Sequence, residues 1–468
     1  MKRFMGGKKM EIKNLNKVED DVVVAERFSI RDLICKEDWL TMWCAIFVMI
    51  VSAISVLTGA FNFKFASFGK WGDAEHTIAS ALTGNLSGIV LTLVVTLVLF
   101  TFCMKLMKKD WKKFIPAYLG FFLLVCVVRF ISGQVILKQY LEYAFWALLA
   151  GMLISNTVGV PKWLKPAMNT EFYIKTGLVL MGATVMFSNI KKFGLYGLGI
   201  AWLVTPTVII FMWIFGTKIL KMTNKPMVMT IACATSVCGT SAAIATAAAC
   251  KAKKTDLTFA VGLSLIFTVI MMVGMPFLCE WALNNNLFGM TELVGGSWIG
   301  GTVDSTGAVV LAGAALGPTA EAAAALVKMI QNILIGFIAF AVAIFFTTKV
   351  DRNTESTVGI GEIWDRLPKF VLGFLAASIV FSFFVQPTYG AEICADIQGC
   401  FKELQTWCFA LAFTSIGLET NIKEMAGQMS GGKPMILYVV GQTFNLILTY
   451  FVAWLLLSGL ILPIPVLV

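Results

Sequence analysis

The chain has 468 residues, 58% of them hydrophobic and only 14% charged, with a mean hydropathy of +0.83. A soluble domain carries roughly a quarter charged residues, so composition excludes a soluble globular fold and points to an all-α polytopic membrane protein. The formal charge of +10 fits Lys and Arg gathered in cytoplasmic loops, and with no nucleic-acid-binding motif present no nucleic acid partner is expected.

Residues 1–38 are polar and mixed in charge, without the apolar core of a signal peptide. They read as a cytoplasmic N-terminal tail, perched before a single transmembrane domain over 39–468. Apolar runs long enough to cross a bilayer, about 20 residues each, predict about 11 spanning helices at 39–58, 86–105, 114–132, 141–158, 171–187, 193–216, 256–279, 318–346, 365–385, 401–418 and 432–458. Two further apolar segments, 226–250 and 288–316, are interrupted by Gly, Ser and Thr.

Charge orients these elements. Lysines cluster at Lys105–Lys113, at Lys218, Lys221 and Lys225, at Lys251, Lys253 and Lys254, and at Lys349 with Arg352. With the N-terminus inside, all four clusters face the cytoplasm provided 226–250 enters and leaves on one side. A full crossing would turn Lys251–Lys254 outward, so charge favours a re-entrant hairpin. Lys191 and Lys192 are the exception, falling outside. Cys394 and Cys400 are placed in an outer loop, where an oxidising face would permit a disulfide. His76 is the only histidine and no Cys/His spacing suits zinc.

Two internal similarities point to duplication. Asn189-Ile190-Lys191 recurs as Asn421-Ile422-Lys423, and the break followed by small residues at 238–249 recurs at 304–315. These imply inverted repeats of roughly 141–279 and 288–458. The second break precedes its Asn-Ile-Lys helix, which implies a permuted repeat or a chance likeness.

The breaks are the candidate site. Ser236-Val237-Cys238-Gly239-Thr240-Ser241 and Gly301-Thr302-Val303-Asp304-Ser305-Thr306-Gly307 each precede a small-residue helix. A break at membrane depth frees backbone groups that lipid cannot satisfy, so it must be buried in protein or line a cavity. The helices starting at Ser241 and Thr306 would aim N–H groups at a shared anion, with Cys238, Gly239, Thr240, Thr302 and Ser305 beside them. The bland alternative is kinked helices with hydroxyl caps and close small-residue packing. Asp304 is expensive at such depth and reads as a coupling-ion site for Na⁺ or H⁺, or as a helix cap. Lys328, Gln331 and Asn332 share one face of a long apolar helix. Lys328 and Asn332 are assigned to the substrate, the alternative being a permanent Lys328 pair with Asp304 or Glu321. Gln442 and Asn445 share a face that can hydrogen-bond across helices, whereas Glu142, Glu171, Lys175 and Arg129 read as interfacial anchors. Pro206 reads as a kink. Nothing resembles a nucleotide-binding loop or a catalytic triad, so neither an enzyme nor an ATP-driven pump is expected.

Cys238-Gly239-Thr240-Ser241-Ala242, Gly300-Gly301-Thr302 through Gly313, and Val327-Lys328 resemble the YeiH-type family of conserved membrane proteins assigned to sulfate export, over roughly residues 80–460. More remotely, Leu180-Met181-Gly182 through Asp256-Leu257 is similar to bile acid:sodium symporters. That likeness implies the fold shared with cation–proton antiporters: a panel and a core domain, elevator-like alternating access, and discontinuous helices that cross at the site. Family members often carry His-Glu in place of Asp304-Ser305 and Arg in place of Gln331, so this chain has fewer titratable groups there. The resemblance implies a secondary transporter in the cytoplasmic membrane that exports sulfate, sulfite or a related small anion. The alternatives are a sodium/proton antiporter using Asp304 and a non-transporting scaffold or sensor. Expected partners are the lipid bilayer, a small inorganic or organic anion, and a second copy in a homodimer; no cofactor beyond the coupling ion is expected.

Overall fold

A computed structural model describes residues 29–59, 63–68, 71–72, 86–135, 143–184, 187–350, 364, 368–422 and 432–465, with the side chains of 188–192 left aside. Residues 1–28 of the expected 1–38 tail, His76, Glu142, Arg352, Lys423 and the side chains of Asn189, Ile190, Lys191 and Lys192 therefore lie outside the description, while Glu37 and Asp38, at the end of that expected tail, already belong to the first long helix.

Among the described residues the regular structure is helical, apart from one bridge between Trp71 and Gln134. The helices are α1 Glu37–Thr58, α2 Leu86–Leu106, α3 Trp111–Ser132, α4 Tyr143–Thr157, α5 Thr170–Thr184, α6 Phe187–Ile214, α7 Lys225–Ser236, α8 Thr240–Ala249, α9 Lys254–Asn284, α10 Glu292–Thr302, α11 Thr306–Leu316, α12 Pro318–Phe345, α13 Lys369–Val380, α14 Gln386–Glu419 and α15 Gly432–Leu457. Local signals explain several boundaries. Gly59 adopts φ 63° and ends α1; Asn224 and Thr291 cap α7 and α10 by accepting from Met227 N at 3.2 Å and Val294 N at 3.1 Å. Pro318 opens α12 where its missing N–H is harmless. α6 runs through Pro206 without interruption as a helix.

Eight helices among the described residues are long and apolar enough to span a membrane. The count falls below the expected 11 for identifiable reasons. Among the described residues, the segments expected at 141–158 and 171–187 contribute the 15-residue helices Tyr143–Thr157 and Thr170–Thr184. Those expected at 365–385 and 401–418 belong to one helical stretch, Lys369–Glu419, of 51 residues. At 1.5 Å per residue a straight stretch of that length would be about twice a bilayer. It folds back at Gly390 (φ 88°), and both ends reach one cluster: Lys369 N donates to Asp38 at 2.9 Å, and Glu419 accepts from Thr170 at 3.2 Å. Cys394 and Cys400 thus lie on a helix rather than in a loop, and both are free thiols, which corrects the expected disulfide.

The two interrupted segments are helical hairpins, not crossing helices. Cys250 at the end of α8 contacts Pro226 O (3.7 Å) and Thr230 (3.8 Å) at the start of α7, and Asn224 donates to Asp256 at 3.0 Å. Residues 224–256 therefore leave and return at one end of the bundle. The second hairpin mirrors this at the opposite end: a Cβ on Gly317, just after α11, would lie 3.2 Å from Glu292 at the start of α10. The crossing geometry implied by the bile acid symporter likeness does not occur; the charge argument had the hairpin right.

The helices pack in two groups. One comprises α1–α5 with α13 and α14; the other holds α6, both hairpins, α9, α12 and α15. Glycines let backbones touch within each group. A Cβ on Gly151 (α4) would sit 2.4 Å from Thr414 O, and one on Gly417 (α14) 2.3 Å from Leu148 O. In the second group Gly296 and Gly300, a G-x-x-x-G pair on α10, lie against Ala320 O (2.4 Å) and Ala324 O (2.6 Å) of α12. The groups meet chiefly along α11, where Gly307 faces Ile174 of α5 and Ile416 of α14.

Candidate functional site

The hairpin tips meet inside the bundle. Gly239 has φ 62°, and a Cβ there would lie 2.4 Å from Ser264 Oγ and 3.4 Å from the Asp304 Cβ; the positive φ and the approach to Ser264 favour glycine. Turning the chain at each tip frees carbonyls at the ends of α7 and α10, and side chains from three other helices satisfy them. At the first break Asn445 donates to Thr235 O (3.3 Å), Thr205 to Ser236 O (3.3 Å) and Lys328 to Val237 O (2.6 Å). At the second, Gln331 donates to Gly301 O (3.1 Å) and Gln442 to Thr302 O (2.9 Å). Gln442 and Asn445 thus bond across helices as their shared face implied. An unpaired carbonyl here would cost about 1–3 kcal/mol, so these five side chains hold the tips in place.

The positive ends of α8 and α11 are treated differently. Whereas side chains cap α7 and α10, Gly239 precedes α8 and has no side chain to give, and Ser305 occupies the capping position of α11 without bonding it. Both uncapped N-termini border one cavity of about 560 Å³. Thr240 and Ser241 are exposed to it and Ser305 and Thr306 half-exposed, while α9 contributes Ser264 and Thr268. The opposite wall belongs to the first helix group, through Thr170, Glu171, Lys175, Ile416, Glu419 and Thr420, with Glu37 and Lys109 at the mouth. The mouth is ionic: Lys175 Nζ lies 2.9 Å from Glu37, 3.0 Å from Asp38 and 3.7 Å from Glu171. Lys109 bonds Asn169 at 2.8 Å.

The expected site residues therefore separate into two layers. Cys238, Gly239, Thr240, Ser241, Ser305 and Thr306 line the cavity. Thr302, Asp304, Lys328 and Asn332 lie directly behind its wall, each at most 2% exposed. Thr302 spends its hydroxyl on Trp298 O (2.6 Å), and Asn332 donates to Thr306 Oγ1 at 3.3 Å, orienting that hydroxyl from behind. Lys328, expected at the substrate, bonds the neutral Val237 O and Gln331 Oε1 (2.7 Å) rather than its alternative partners, the carboxylates of Asp304 or Glu321. Asp304 caps no helix. Its Oδ2 accepts from Ser264 Oγ at 3.0 Å and from the Tyr438 hydroxyl, and its Oδ1 is buried without a partner.

Several contributors carried no sequence signal. Ser264 and Tyr438 are single polar groups in ordinary apolar helices, and Thr205 is hidden beside Pro206. Lys175 and Glu171, expected as interfacial anchors, border the cavity, as does Glu419. Arg129 is instead buried, 3.2 Å from Glu403 and against the Tyr143 and Trp407 rings. Among the described residues no group of His, Cys, Asp and Glu could hold a metal ion.

Residues 118–438 match a family described as conserved hypothetical protein 698. A UPF0324 membrane protein of Rhodopirellula baltica is 50% identical over 392 residues, covering 83% of this chain and 70% of the relative. A UPF0324 membrane protein of Nitratidesulfovibrio vulgaris is 46% identical, covering 84% and 68%. The UPF0324 inner membrane protein YeiH of Escherichia coli is 25% identical over 67% of this chain and 82% of its own. No solved structure matches. With a bundle of spanning helices and a family match over most of its length, the chain belongs to the UPF0324 family of membrane proteins, the YeiH-type group its break residues resemble.

Proposed function

We propose that this protein is a secondary transporter of a small oxyanion, with sulfate or sulfite as the first substrates to test, export across the cytoplasmic membrane as its direction, and Asp304 as the site of the coupling ion. One observation carries the reading: two uncapped helix N-termini from oppositely inserted hairpins border the same cavity. Each helix end is equivalent to roughly half a positive charge. Together with the hydroxyls of Thr240, Ser241, Ser305, Thr306 and Thr268 they offer a ring of donors. A tetrahedral oxyanion has only acceptors to present, so the match is chemical as well as electrostatic. Lys175 and Lys109 place cations on the route in, and Lys328 adds its field from behind the wall without needing to touch the ligand.

The two-group packing supports alternating access by relative movement of the hairpin-bearing group, since the cavity lies on the seam between the groups. A sodium/proton antiporter would use the same Asp304, but that carboxylate lies behind the cavity wall while the paired helix N-termini face the cavity. A scaffold or sensor has no use for paired, uncapped tips.

Thermal unfolding of the detergent-purified protein across an anion panel tests the reading. A ligand at about 100 times its Kd should add roughly 2.7 kcal/mol to apparent stability. Sulfate or a related oxyanion should stabilise and chloride at equal ionic strength should not. Equal responses to all salts would count against it.

A further inference from the structure

Ser264 has a foot in each layer of the site. It lines the cavity, and its hydroxyl donates to Asp304 Oδ2 at 3.0 Å. Its position is held by Gly239, where a Cβ would fall only 2.4 Å from Ser264 Oγ. Asp304 itself is 1% exposed and does not reach the cavity. Of its two hydroxyl partners, Tyr438 comes from the buried face of α15 and leads nowhere wet. Among the described residues, Ser264 is therefore the hydrogen-bond partner that connects the buried carboxylate to the cavity.

We infer that Ser264 is the coupling residue of the transporter, relaying a proton between cavity water and Asp304, so that the coupling ion is H⁺. The inference rests on the transporter reading above and names the ion that reading leaves open. The step balances without further reactants. As the Ser264 Oγ–H bond breaks, its proton forms an O–H bond with Asp304 Oδ2. Ser264 Oγ takes a replacement proton from a hydronium ion in the cavity, which leaves as water. Reversal returns the proton when the cavity faces the other side.

The surroundings suit a proton better than a metal cation. A hard cation needs a shell of several oxygen acceptors, whereas both hydroxyls here donate to the same carboxylate oxygen. The groups facing Asp304 from the elements packed on it are Ser264 of α9, Tyr438 of α15 and Lys328 of α12, whose field reaches it. None adds a second carboxylate.

The experiment measures proton and sulfate movement together in proteoliposomes, with a trapped pH dye and labelled sulfate. Wild type should move protons with sulfate in a fixed ratio that sodium does not alter. Ser264→Ala should lower the proton-to-sulfate ratio at least about tenfold; Ser264→Thr, which keeps the hydroxyl, should restore it. Gly239→Ala, which pushes on Ser264 without altering it, should lower the ratio in the same direction. Tyr438→Phe should shift the pH profile and keep the ratio. Thermal unfolding of each variant separates misfolding from uncoupling. A wild-type ratio in Ser264→Ala, or sulfate movement that requires sodium, would overturn the inference while leaving oxyanion transport standing. Absence of any oxyanion flux in wild type would instead overturn the transport reading beneath it.

Discussion

Gly239 and Asp304 face each other across the tips of two hairpins that enter the bundle from opposite ends, with 3.4 Å between the Asp304 Cβ and the place a Gly239 Cβ would take. The close approach fixes how the cavity, the uncapped helix ends and the buried carboxylate lie relative to one another. It also makes Gly239 the least replaceable residue at the site.

Gly239→Ala should cost about 1–3 kcal/mol of stability through the positive φ alone, and more through the 2.4 Å approach to Ser264 Oγ. Thermal unfolding in detergent reads this directly. An unchanged melting temperature would mean that the tips do not meet as described.

Lys328 holds a carbonyl, so its removal should be felt without ligand. Lys328→Met keeps most of the stem but strips the donor from Val237 O and Gln331 Oε1. The expected loss is about 1–3 kcal/mol in the ligand-free protein. A variant with normal ligand-free stability but no sulfate-induced stabilisation would show instead that the ammonium contacts the anion.

Gln442→Leu and Asn445→Leu each leave a tip carbonyl unpaired, Thr302 O and Thr235 O respectively. Each should cost about 1 kcal/mol, near the upper range for polar contacts between membrane helices. Because the two side chains are neighbours on one face of α15 and hold tips that meet, the loss in the double variant should differ from the sum by a measurable coupling.

Lys175 offsets three carboxylates at the cavity mouth. Lys175→Ala should make that mouth more negative and slow oxyanion movement. The defect should be largest at low ionic strength, because screening weakens the repulsion as salt rises. A defect independent of salt would place Lys175 in direct contact with the substrate.

The hairpin geometry is open to labelling. Lys251→Cys should react with an impermeant thiol reagent from the same side as Lys221→Cys, and Asn286→Cys from the opposite side. Labelling of Lys251→Cys and Asn286→Cys from one side would contradict the fold.

The sequence made the breaks visible because Gly-Thr-Ser and Thr-Val-Asp-Ser-Thr stand out against apolar surroundings, and lysine placement even indicated that 226–250 turns back. It could not show what makes those breaks tolerable. The carbonyl of Thr235 is satisfied by Asn445, 210 residues away, and neither position announces the other. Lys328 misled for a physical reason: a deep lysine suggests a ligand or a counter-ion, and the chain uses it on backbone oxygen. Ser264 and Tyr438 gain meaning only through Asp304. The bend at Gly390 was hidden because one glycine in a long apolar run does not distinguish a fold-back from a packing contact.

The central claim is that the two uncapped helix ends hold an oxyanion for transport. Uptake of labelled sulfate into proteoliposomes under an imposed pH gradient tests it most directly. The account predicts saturable uptake that unlabelled sulfate or sulfite competes away and that falls at least about tenfold in Gly239→Ala. Flux no greater than in empty liposomes, for sulfate, sulfite and every related oxyanion tried, would contradict it.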